Sequence, residues 1–235
     1  YWLNRLDHID NDIYHHSPIS RLLMITEERR VNLSREQLPQ YIDLVRHTIS
    51  PSIRASGGRV LCLLQGLIGS PSTTLIQMTQ YEDIDSWQLA QGAWTVNREQ
   101  FAIQESTRIL KPISSRPKDL VPPEDRRTIY GYRKFIISPA SVSEFAACSE
   151  EGIWPRLESE GACILGMWSN AESVSPAEVI LLTGYNSLAH WESTRFSPGS
   201  PDENNDLWNR ESALRTRRED LTIKTFVEIM ISTDL

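Results

Sequence analysis

The stretch Gly57-Gly58-Arg59-Val60-Leu61-Cys62-Leu63-Leu64 returns 104 residues later as Gly161-Ala162-Cys163-Ile164-Leu165-Gly166-Met167-Trp168. Each copy is an apolar run of strand length with glycine in front of it. The correspondence continues without a gap in both directions, laying Glu27–Trp87 over Gly131–Trp191. Arg29 falls on Arg133, Ser34 on Ser138, Ile49 on Ile153, Pro51 on Pro155, Thr79 on Thr183, Tyr81 on Tyr185 and Trp87 on Trp191. A period this long means two copies of a small domain rather than a solenoid of short units.

Each copy reads strand, helix, strand, strand, helix, strand. In the first, Arg21–Val31 is a strand and Ser34 with Gln37 forms a capping box. Leu38, Tyr41, Ile42, Val45 and Ile49 make a helical apolar stripe that Pro51 should kink or shorten. Gly57 and Gly58 stop that helix. Strands Val60–Leu64 and Thr74–Tyr81, a helix over Ile84–Phe101 and a strand near Arg108–Ile113 complete the unit. The second copy repeats the pattern with strands Ile129–Ile137, Cys163–Trp168, Glu178–Tyr185 and Ile223–Ile231. A proline-bearing insert, Ser197–Asn205, interrupts its second helix, which then runs to about Glu219.

This order is the βαββαβ ferredoxin-like module, with both helices on one face of the sheet. The other face needs cover too, because Val60–Leu64 and Val179–Leu182 are apolar without alternation. The expected fold is therefore α+β: two tandem ferredoxin-like modules whose antiparallel sheets pack face to face as a pseudo-dimeric α/β barrel. Residues 1–20 form an N-terminal extension, 21–114 the first module, 115–126 a linker and 127–235 the second module. Free sheet edges would allow a homodimer.

With 235 residues the chain can build two cores of roughly 100 residues each. The net charge of −7 and the absence of a basic block argue against nucleic acid as a partner. The run Arg215, Arg217, Arg218 is interleaved with Glu211, Glu219 and Asp220 and reads as a solvated helix face. No stretch approaches the roughly 20 apolar residues of a membrane span. Cys62, Cys148 and Cys163 form no CxxC pair and read as reduced thiols, which suggests a cytoplasmic setting.

The second copy resembles the NIPSNAP family of the dimeric α/β-barrel superfamily. The residues that carry the resemblance are Ile129-Tyr130-Gly131-Tyr132-Arg133-Lys134-Phe135 with Pro139, then Leu165-Gly166-Met167-Trp168 and Glu178-Val179-Ile180-Leu181-Leu182. Last comes Tyr185-Asn186-Ser187-Leu188-Ala189-His190-Trp191. The resemblance covers about 65 residues directly, and the first copy only through the internal repeat. It implies a barrel with ligand cavities between sheet and helices. The superfamily includes cofactor-independent oxygenases, haem enzymes and isomerases, whereas NIPSNAP proteins supply no catalytic set to carry over.

Candidate site residues follow from oddities in the pattern. Glu27-Glu28-Arg29-Arg30 puts four charges where an internal strand should be apolar. It is either a polar cavity, with Glu28 as acid or base and Arg29 holding an anionic oxygen, or an internal Glu–Arg ladder. Arg133 carries the same two readings. Tyr81 with Trp87, and Tyr185 with Trp191, are either helix-to-sheet clamps or the aromatic wall of a pocket, to which Tyr132 and Trp168 would add. His190 is a capping histidine, a general base or an axial haem ligand. His8, Asp10, Asp12, His15 and His16 have no metal-site spacing, so no metal is expected.

The expected function is that of a small-molecule enzyme acting on an apolar or aromatic metabolite by cofactor-independent oxygenation, isomerisation or cyclisation. Arg133, His190, Glu28 and Arg29 would be catalytic, and Tyr132, Trp168, Tyr185, Trp191, Tyr81 and Trp87 substrate-binding. No cofactor is expected in that case. The alternatives are a non-catalytic NIPSNAP-type binding or scaffold protein, and a haem protein.

Overall fold

A computed structural model describes residues 24–95, 98, 100, 101, 104–118, 125–171, 175–195 and 206–233. The histidine-bearing arm, the start of the first strand and the insert before the last helix lie outside these residues. The strands are β1 (Ile25–Asn32), β2 (Arg59–Ile68), β3 (Thr74–Tyr81), β4 (Gln104–Pro112), β5 (Ile129–Ile137), β6 (Cys163–Asn170), β7 (Ala177–Tyr185) and β8 (Thr222–Ser232). They form one closed antiparallel barrel in the order β1-β3-β2-β8-β5-β7-β6-β4.

Each half contributes four neighbouring strands in ferredoxin-like order, β4-β1-β3-β2 and β8-β5-β7-β6. The sheets do not stack as two separate layers. They join edge to edge, β2 to β8 through Leu64–Ser232 and Gln65–Ile231, and β4 to β6 through Leu110–Asn170. Closure satisfies the N–H and C=O groups that free edges would expose. The edges that the sequence offered for a homodimer are therefore used within the chain.

The two halves agree register by register. Ile25 pairs with Tyr81 as Ile129 pairs with Tyr185, and a bulge lies between Val60 and Cys62 as between Ile164 and Gly166. The first helix of each half has the same irregularity. α1 runs Leu38–Leu44, widens to a π turn over Val45–Ile49 and resumes over Ser50–Ala55; α3 runs Val142–Cys148, Ser149–Ile153 and Trp154–Ser159 in the same way. Pro51 and Pro155 sit in the first turn after each π segment. The wider turn relieves the clash between a proline ring and the carbonyl four residues earlier. The helices thus pass through their prolines instead of ending there. Gly57 and Gly161, at φ +83° and +88°, then reverse the chain in a conformation that disfavours other residues.

The second helices are shorter than expected. α2 spans Ile84–Ala90, followed by a 3₁₀ turn over Gln91–Trp94, and does not reach Phe101. α4 spans Leu188–Ser193, with the Ser187 hydroxyl accepting the His190 amide N–H at 3.0 Å. Losing that cap in Ser187→Ala should cost about 1 kcal/mol, read as a lower urea midpoint. α5, Asp206–Asp220, completes the second half and has no counterpart among the described residues of the first. It lies so close to α3 that a Cβ on Gly152 would stand 2.6 Å from Leu214 Cβ.

Three cores result. One lies under α1 and α2, and one under α3. The third fills the barrel interior with Leu61, Cys62, Leu64, Met78, Leu165, Trp168, Leu182 and Met230, among others. No helix among the described residues is long and apolar enough to cross a membrane.

Candidate anion pocket

Successive residues of β1 point to opposite faces, which splits the charged tetrad into two networks. Glu27 and Arg29 face α2. Arg29 Nε donates to Glu27 Oε1 at 2.7 Å, and Arg29 also pairs with Glu105. The other Glu27 oxygen accepts from the Trp87 indole N–H, and from Gln91 Nε2 at 3.1 Å. Arg29 stacks on Trp94 with its guanidinium carbon 4.1 Å from the ring centre. Every charge here has a partner, which is the ladder reading of the sequence.

Glu28 faces the barrel interior. It accepts from Arg108 Nε and Nη2, both at 3.0 Å, and from the Tyr132 hydroxyl at 2.6 Å. Arg108 also pairs with Glu178, and Arg30 with Glu228 at 3.1 Å. Burial and then the Glu28 charge push the Tyr132 hydroxyl well above the usual phenol range. Tyr132 and Trp168 therefore belong to the barrel interior rather than to a wall beside Arg133. Cys62 shares that interior, and burial pushes its thiol up to about 12, far from a reactive thiolate.

The second half differs where it matters for binding. Between the outer face of its sheet and the helices α3, α4 and α5 lies a cavity of about 210 Å³. Gly131, Arg133, Leu181, Thr183, Tyr185 and Trp191 line it from the sheet and α4, with Arg195 at the α4 end and Arg215 and Arg218 from α5. No carboxylate or imidazole lines it among the described residues. A hollow of about 340 Å³, reaching Lys224 and Thr225, adjoins it across the same Arg133, Arg215 and Arg218.

The four arginines are unequally satisfied. Arg215 pairs with Glu211, itself fully buried and shared with Arg156. Arg195 pairs with Glu192 at 3.3 Å at the surface. Arg218 is 5% exposed, donates to Ser149 Oγ at 3.3 Å and lies over the rings of Phe135 and Phe145. Arg133 has no carboxylate partner among the described residues; its guanidinium lies 6.0 Å from the Phe135 ring centre. Burial first, then the neighbouring cations, hold Arg133 below its ordinary value and push Arg218 down to about 9. Burial likewise raises the Tyr185 hydroxyl, with Arg133 opposing the shift. The site gathers positive charge that is buried at Arg218, half-buried at Arg133 and Arg215 and exposed at Arg195, an environment that an anion relieves.

Of the residues singled out in the sequence, the structure brings Arg133, Tyr185 and Trp191 together here. Tyr81, Trp87 and Arg29 occupy the equivalent position under α2, where Glu27 holds Arg29 and Trp87. His190 lies beside the cavity, committed to holding α4: its Nδ1 accepts from the Asn186 amide at 3.1 Å and its Nε2 lies 2.9 Å from the Glu160 carbonyl. With both ring nitrogens engaged, it is not presented as a general base or to a haem iron. Among the described residues no group of three or more metal-ligating side chains occurs. Arg215 and Arg218 are the residues that the sequence reading missed. Arg217 is solvated and bound to Glu144, but the run is not uniformly so, because Glu211, Arg215 and Arg218 share one helix face that turns inward.

No family model and no curated protein matches the chain. Solved structures do. A candidate monooxygenase from Lactobacillus acidophilus superposes with a TM-score of 0.62 at 11% identity, covering 89% of this chain and 94% of that one. An anthrone oxidase-like protein gives 0.55 at 10% identity, covering 90% and 92%. At such identities the likeness is one of fold alone. A NIPSNAP family protein from Agrobacterium tumefaciens is 22% identical over 43% of this chain and 91% of its own, with a TM-score of 0.34. That resemblance stays partial.

Proposed function

We propose that the chain is a small-molecule enzyme of the dimeric α/β-barrel type, built from two fused ferredoxin-like modules, residues 21–114 and 127–235. Its substrate is an aromatic or apolar molecule that is anionic or becomes so during reaction. The observation that carries this reading is Arg133, without a carboxylate partner among the described residues, beside Trp191 and Tyr185 in a cavity lined by three further arginines.

The residues suit chemistry through an oxyanion. A substrate C–H acid gives up its proton, and Arg133 with the Tyr185 hydroxyl holds the oxygen on which the charge collects. Reprotonation at another carbon is isomerisation. Oxidation of an activated CH₂ to C=O by dioxygen, with one oxygen atom retained and the other leaving as water, is the oxygenation that the anthrone oxidase-like fold relative suggests. No base lines the cavity among the described residues, a lining that suits substrates acidic enough to ionise in solution. The same lack favours a second reading, binding without turnover.

Anthrone is the test substrate, followed by dioxygen uptake. Uptake is expected to exceed the buffer rate at least about 10³-fold, and Arg133→Met to remove about 10²- to 10³-fold of that enhancement, the scale of one lost oxyanion donor. Binding without uptake selects the second reading. Neither binding nor uptake sinks both.

A further inference from the structure

The two halves place the same backbone positions around the second helix, so the first half is an internal template for what the second half lacks. In the first half the position of Gly131 is Glu27, whose carboxylate is fully buried and clamped by Arg29, the Trp87 indole N–H and Gln91. In the second half Arg133 and Trp191 keep the donors of Arg29 and Trp87, and Arg195 replaces Gln91 with a cation. The carboxylate of Glu27 is gone.

The second counter-charge is gone as well. Val31 pairs with Glu105, which binds Arg29, whereas its equivalent Phe135 pairs with Thr225. The first half thus sets two carboxylates against its arginine, and the second half sets none against Arg133 among the described residues. The indole N–H of Trp191 has no acceptor among the described residues, although that of Trp87 is bound to Glu27. Nor does the backbone require glycine at 131. A Cβ there would meet only a Tyr185 ring carbon at 3.6 Å and the Thr183 carbonyl oxygen at 3.9 Å, ordinary contacts. The missing side chain is a space with its donors in place.

We propose that the second-half cavity binds an aromatic carboxylate, whose carboxylate group occupies the position vacated at Gly131, on Arg133, Trp191 and Arg195, while the first-half site is plugged by its own Glu27. This rests on the cavity being the functional pocket and specifies the chemistry that the pocket recognises. The ring of the ligand lies against Tyr185 and Trp191, where Leu157 and Leu181 supply apolar wall. A bidentate guanidinium–carboxylate contact out of water is the geometry to which arginine is best suited.

Titration with 2-naphthoate and with its neutral analogue 2-naphthamide, followed by tryptophan fluorescence, tests the proposal. The wild-type protein should bind one naphthoate, about 10- to 100-fold tighter than the amide, the worth of one or two charge-assisted hydrogen bonds. Gly131→Glu should place a carboxylate in the site, lose naphthoate binding and raise the unfolding temperature without ligand. Gly131→Gln, with the same shape and no charge, should show no comparable rise. Naphthoate bound equally by wild type and Gly131→Glu overturns the proposal, as does no binding by the wild type. Amide and acid bound alike, and both lost in Gly131→Glu, also overturn it while leaving the cavity as the binding pocket. The anthrone assay fails or succeeds independently of these outcomes.

Discussion

Replacing Glu211 by glutamine is expected to cost the fold about 3–5 kcal/mol, the usual loss when one partner of a buried ion pair is removed. Glu211 is fully buried on α5 and binds Arg156, itself 2% exposed, and Arg215. Without it, Arg156 would keep Glu160, the Thr194 carbonyl and the Trp208 ring. Arg215 would lose the carboxylate of Glu211 as well. Glu160, which binds Arg156 from a 38% exposed position, is the control: Glu160→Gln should cost less than about 1 kcal/mol. Urea unfolding with unchanged slope reads both losses. Equal small losses would mean that α5 is not held by this pair, and that the arginines it carries are not fixed over the cavity. Bound anion should recover part of the Glu211→Gln loss, because a ligand held only by the folded state stabilises it by mass action.

Trp168→Ala is expected to be about as damaging, about 3–5 kcal/mol, for a different reason. The indole is fully buried in the barrel interior and rests on Gly166, where an added Cβ would collide with the ring. Truncation leaves a hole among side chains from several strands of a closed barrel, which cannot collapse around it as an open sheet could. Its indole N–H has no partner among the described residues, so Trp168→Phe should cost much less than alanine. Because the side chain faces the barrel interior and the arginine cavity lies on the other side of the sheet, naphthoate affinity should survive the substitution in whatever fraction folds. A selective loss of affinity at unchanged stability would return Trp168 to the binding role that its sequence position suggested.

Much of the architecture was legible because repetition constrains it twice. A strand such as Ile129–Ile137 could be bounded to the residue, since apolar pattern and turn residues agree in both copies. The π turns at Val45–Ile49 and Ser149–Ile153 were not legible, because a one-residue widening leaves the apolar stripe nearly intact while moving the proline out of conflict. The barrel was expected, but the edges that close it were hidden for a similar reason: pairing β2 to β8 depends on sheet curvature, to which no single residue points. In the site, Arg133, Tyr185 and Trp191 stood out by alignment with Arg29, Tyr81 and Trp87. Arg215 and Arg218 did not, since α5 belongs to the part without a repeat partner. Their signal was there as spacing: Glu211, Arg215 and Arg218 fall at helical intervals on one face, but charge at those positions reads as solvated until something packs against it.

The stave that completes the barrel beside β2 is β8, a partner encoded more than 150 residues downstream. A ribosome making this protein therefore releases the first four strands long before that neighbour exists, and their outer hydrogen-bonding groups stay open to any passing chain meanwhile. Truncations ahead of Thr222 should accordingly yield material that clumps rather than a smaller soluble half. Folding yield in cells would then be governed by how quickly translation reaches the far end.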